Sequence, residues 1–107
     1  MTIFNSAKFS VGQKIHHTLF DYRGVIVDVD PCFRTTGGWE RKTTQDRARR
    51  YDTPWYHVLV DGADHRTYVA ERNLEADTSG DPINHPEVAE HFEGYRDDSY
   101  VSRDKTH

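Results

Sequence analysis

Apolar positions recur in short bursts along this chain of 107 residues, and turn residues separate the bursts. Val11-Gly12-Gln13 predicts a turn that opens a strand over Lys14 to His17. Phe20 to Gly24 predict a second turn, followed by the strand Val25-Ile26-Val27-Asp28-Val29. Strict alternation would put Val25, Val27 and Val29 on one face and Ile26 and Asp28 on the other. Asp30-Pro31 ends this strand, because proline has no N–H to give a ladder. From residue 32 to 53 the chain turns strongly polar. A helix over Trp39 to Tyr51 would lie in solvent, since only Trp39, Ala48 and Tyr51 could face a core.

Pro54 to Val60 is the strongest strand, aromatic and β-branched, with apolar residues facing both ways. Asp61-Gly62 signals a hairpin turn, and Arg66 to Ala70 is the partner strand. Glu71 to Leu74 predict a tight turn that buries Leu74. A short helix over about 86–92 begins at Pro86, capped by Asn84 or His85. Val88 and Phe92 would pack down, and Gly94 would stop it. Residues 96–107 are polar and expected to be an unstructured tail. The pattern predicts one domain over 1–107, ordered from about 8 to 95. Its class is mainly β: a small antiparallel, strongly curved, SH3-like β-barrel with one or two short helices.

Composition narrows this picture. Apolar residues make up 35% of the chain, enough for a modest core only. Self-association would add stability, so a homo-oligomer, trimer or dimer, is expected. The longest apolar runs, Val25 to Val27 and Val58 to Val60, are far too short to span a membrane. Residues 1–8 carry no apolar signal segment, so no secretory leader is expected. The lone Cys32 excludes an internal disulfide and suits a reducing cytoplasm.

Net charge is -4, but its distribution matters more. Residues 1–50 hold nine Lys and Arg against five Asp and Glu; residues 51–107 hold five against thirteen. Such asymmetry fits either a basic face for an anionic partner or a dipolar protein whose halves attract each other.

Candidate chemistry is sparse. The seven histidines lack metal-site spacing, and no nucleophile motif or glycine-rich phosphate loop is present. No catalytic residue, metal or cofactor is expected. Asp28 and Asp30 share a strand face and offer either a carboxylate pair or a fixed turn. His57 is expected to be half-buried and hydrogen-bonded to one of them. Cys32 is expected to be inert.

Two candidate binding surfaces remain. The basic one comprises Arg34, Arg41, Lys42, Arg47, Arg49 and Arg50, with Lys14 and Arg23 nearby. The other is a polar and aromatic cluster of Asp28, Asp30, Trp55, Tyr56, His57 and Tyr68, most of whose rings are expected to fill core.

Four blocks carry a resemblance. They are Phe9 to Gln13, Tyr22 to Pro31, Pro54 to Val60 and Thr67 to Leu74, with Asp81 to Pro86 and Phe92 to Gly94 behind them. In this order and spacing they resemble the HspQ/YccV-like, or hemimethylated-DNA-binding, family over about residues 8–95. The resemblance implies a β-barrel-like fold and a non-enzymatic role, with no catalytic residues to carry over. It also implies a link to heat shock, with partners among protein clients and an ATP-dependent protease, or hemimethylated DNA near a replication origin. The leading expectation is a cytoplasmic stress-response adaptor in protein turnover. A DNA-binding module is the alternative, which the net negative charge opposes and the basic first half permits.

Overall fold

The computed structural model of the chain describes residues 7–31 and 53–103. Five antiparallel strands form the main sheet: β1 (Lys14–His17), β2 (Arg23–Asp30), β3 (Trp55–Val60), β4 (Arg66–Ala70) and β5 (Leu74–Ala76). Their order across the sheet is β4-β3-β2-β1-β5. A one-turn helix, α1 (Val88–His91), leads into a separate hairpin of β6 (Phe92–Arg96) and β7 (Ser99–Ser102).

Residues consecutive in sequence occupy opposite edges of the main sheet. Only the 3-10 turn Glu71–Asn73 joins edge strand β4 to edge strand β5. Four chain steps reach at most about 14 Å, whereas four strand spacings of a flat sheet would separate the edges by about 19 Å. The sheet therefore curls. Among the described residues no ladder joins β4 to β5, so the closed barrel expected from sequence is not found. A β5 of three residues leaves little backbone with which to close it.

Apolar clusters pack on both faces of β2 and β3. Ile15, Ile26, Tyr56, Val58, Val69 and Leu74 form one, with Phe9, Tyr22 and Val29 against it. Val25, Leu59, Ile83 and Phe92 form the other, joined by Val27, Val88 and Tyr100. This explains the unbroken apolar runs in the two central strands, which are covered on both sides.

The expected alternation along β2 fails at one point. Ile26 pairs with Val58 and Asp28 with the next residue, His57, so Val27 is an extra residue in a β-bulge. The bulge reverses the phase of every later side chain. Val29 consequently joins Ile26 and Tyr56, not Val25 and Val27.

Residues 96–102 also depart from expectation. They belong to a hairpin, not an unstructured tail. Asp97 and Asp98 have φ of 56° and 66° and link the paired residues Arg96 and Ser99. Two left-handed residues make the turn whose twist matches that of the strands. The hairpin docks on the main sheet through Gly12, whose carbonyl accepts from Tyr100 N–H at 2.8 Å and from the Ser99 hydroxyl at 3.2 Å. Phe92, expected to end the helix, instead begins β6 while its ring still packs in the core.

Candidate functional site

The bulge at Val27 determines what the outer face of β2 presents. After it, Asp28 lies opposite His57 and Asp30 opposite Trp55, while Tyr68 of β4 lies opposite His57. Asp30 is the centre of this group. Its Oδ2 accepts from the Tyr68 hydroxyl at 2.7 Å and lies 3.3 Å from His57 Nε2. The Tyr68 ring leans on both neighbours, 4.6 Å from the His57 ring and 5.1 Å from Trp55. These bonds brace three adjacent strands. Asp28 stays exposed, and its Oδ1 accepts the Val29 N–H at 2.9 Å.

Tyr56 does not belong to this cluster. It faces the opposite side, fully buried, where its hydroxyl donates to Glu71 at 2.7 Å and accepts from Phe9 N–H at 3.3 Å. Burial first, and the Glu71 carboxylate second, push its hydroxyl pKa up to about 12.

Asp28, Asp30 and His57 are the described residues that could hold a metal ion, with donor atoms within 4.8 Å of one another. Two ligands at about 2.1 Å from one ion cannot be more than about 4.2 Å apart.

Lys14 and Arg23 have internal partners. Lys14 is 2% exposed; its Nζ donates to the Asp81 carbonyl at 2.9 Å and pairs with Asp98 at 2.7 Å. Arg23 reaches Asp61 and Asp77, each at 3.0 Å, and donates to the Asp81 carbonyl. Those partners raise the Arg23 pKa, the Asp77 bond most. Both cations tie the segment after β5 to the sheet. The remaining basic candidates, Arg34, Arg41, Lys42, Arg47, Arg49 and Arg50, lie outside the described residues.

Charge over the described residues is lopsided: fourteen Asp and Glu against seven Lys and Arg. Residues 32–52 hold six Lys and Arg against three Asp and Glu. Because Asp30 pairs with Trp55, this basic stretch leaves and rejoins the sheet at the end that carries the Asp30 cluster.

One feature escaped the sequence reading. The turn between β1 and β2 displays Leu19 at 66% and Phe20 at 75% exposure. His17, nearly buried, accepts both of their backbone N–H groups at Nδ1, at 3.2 and 3.0 Å. The Phe20 ring stacks on His17 at 4.8 Å. Beside the turn, His16 bridges Asp21 at 2.7 Å and Glu75 at 2.8 Å. The available signal was Leu-Phe set between a histidine strand and an aspartate, an apolar pair where a turn should be polar.

Among the described residues no helix is long and apolar enough to cross a membrane. A family model described as "Hemimethylated DNA-binding protein YccV like" matches residues 7–99. That span contains the buried residues of both apolar clusters, the bulge and the Asp30 brace, and the chain belongs to the YccV-like family.

Proposed function

We propose that this chain is a non-enzymatic adaptor, which works by binding proteins and promotes their turnover by an ATP-dependent protease under stress. The carrying observation is the charge of the described framework: fourteen carboxylates against seven cations, with Lys14 and Arg23 already in internal pairs. A surface of this sign repels a duplex, which carries one negative charge per about 1.7 Å of its axis. It does not hinder contacts with protein. The reading places the chain in the cytoplasm, where Cys32 stays a thiol. We also propose a homo-oligomer, trimer or dimer, since a small core in a polar chain gains stability from self-association; light scattering at one chain mass across micromolar concentrations would reject it. The adaptor role is tested with the purified protease and a chemically denatured reporter protein. Added chain should speed reporter loss in the presence of ATP; an unchanged rate at saturating chain would reject the reading.

A second reading is favoured by the family description and by the six cations of residues 32–52. On it, that segment binds hemimethylated DNA. Arg34, Arg41, Lys42, Arg47, Arg49 and Arg50 would neutralise phosphates, while any preference for the hemimethylated form would need separate base-edge contacts.

A further inference from the structure

We propose that Asp28, Asp30 and His57 form a surface site for one divalent transition-metal ion of the zinc class, which clips β2 to β3. The donor set points to this class. One imidazole nitrogen and two carboxylates are ligands that zinc accepts, whereas calcium and magnesium take oxygen ligands.

Strand pairing builds the site from two sheet elements. Asp28 and Asp30 come from β2, and His57 comes from β3, opposite Asp28. The ladder fixes all three backbones, and the bulge at Val27 sets the register that brings them together. Their donor atoms lie within 4.8 Å of one another. Asp30 Oδ2 and His57 Nε2 stand 3.3 Å apart. That is long for a hydrogen bond, but two ligands at about 2.1 Å from one tetrahedral ion are about 3.4 Å apart. The Asp28 carboxylate is exposed, and its Oδ1 accepts the Val29 N–H while its Oδ2 has no partner among the described residues. Exposed side chains change rotamer on the fastest timescales of side-chain motion, so the third donor requires no rearrangement of the sheet.

The surroundings hold the other two donors in place. The Tyr68 hydroxyl donates to Asp30 at 2.7 Å, the kind of outer bond that orients a ligand carboxylate. The Tyr68 ring lies 4.6 Å from the His57 ring and restrains the imidazole. The Asp30 and His57 side chains are 18% and 31% exposed, so an ion reaches them from solvent and its open coordination positions go to water.

The test is isothermal titration calorimetry of the full chain with zinc chloride, repeated with calcium and magnesium chloride. The parent should bind one zinc ion per chain and neither of the other ions. Asp28→Asn and His57→Gln should each weaken zinc binding at least about tenfold. Asp28 is exposed, so Asp28→Asn should keep the metal-free melting temperature of the parent, and it decides the matter even where His57→Gln fails to fold. His65→Gln, outside the site, should bind as the parent does. A parent that takes no zinc at millimolar concentration would overturn the proposal. Zinc binding undiminished by Asp28→Asn, or lost in His65→Gln, would place the ion on a surface imidazole and overturn it too. Calcium or magnesium bound as tightly as zinc would overturn the class of ion.

Discussion

Two cations that look alike in sequence hold different positions in the energetics. Arg23 spans Asp61 and Asp77, and the Asp77 side chain is only 7% exposed. Arg23→Ala would leave that carboxylate with only the Ser79 hydroxyl and N–H and should cost about 2 kcal/mol in urea unfolding. Lys14 pairs with Asp98, whose side chain is 54% exposed and keeps its water when the partner goes. Lys14→Met, which preserves the packed stem, should change stability by no more than about 1 kcal/mol. Equal losses at the two sites would contradict this assignment. His16 and His17 are split in the same way. The bond to Asp21, then that to Glu75, raises the His16 pKa above its ordinary 6.5. Burial, then the charge of His16, lowers that of His17. The His16 contribution to stability is complete below 6.5 and is lost as pH rises through its higher folded pKa. The His17 contribution is present above 6.5 and is lost as pH falls through its lower folded pKa. A proton NMR titration of the two imidazoles should place them on opposite sides of 6.5. A common midpoint would refute the arrangement.

Elements were legible where local pattern alone decides them. Val25 to Val29 and Trp55 to Val60 announce the central strands through β-branched and aromatic content, and the structure has β2 and β3 there. Asp61-Gly62 marked the hairpin that joins β3 to β4, and Gly62 indeed takes a φ of 80°. What was not legible depends on register or on partners distant in sequence. Nothing in the string Ile26-Val27-Asp28 reveals an extra residue, because a bulge is a relation between two strands. Yet that bulge decides that Asp28 and Asp30 face His57, and that Val29 faces the core. The β6–β7 hairpin was missed because its turn is Asp97-Asp98, without the glycine that usually marks left-handed residues. The exposed Leu19–Phe20 turn was equally hidden, since burial is a property of the whole fold. Gly12 ties the hairpin to the sheet, and its φ of 94° already disfavours any side chain. A Cβ there would also collide with the Tyr100 carbonyl oxygen. Gly12→Ala should therefore release the hairpin, seen as faster hydrogen exchange at Tyr100 N–H, with β3 protection retained. Unchanged exchange at Tyr100 would show that the hairpin docks by other means.

At the scale of the molecule, fold and charge separate. The described framework is acidic, and the chain's basic residues are concentrated in residues 32–52. On the adaptor reading the framework meets proteins, and any contact with DNA is a weak, sequence-independent attraction through Arg47, Arg49, Arg50 and their neighbours. Such an attraction falls steeply with salt, because each neutralised phosphate releases counterions. Replacing Arg47, Arg49 and Arg50 by Ala should flatten that salt dependence for every duplex alike. The most direct measurement is a fluorescence-anisotropy titration of the full chain against hemimethylated and unmethylated duplexes of one sequence at physiological salt. The account predicts weak binding, equal for the two duplexes. Tight binding with clear preference for the hemimethylated duplex would contradict it and make DNA the working partner.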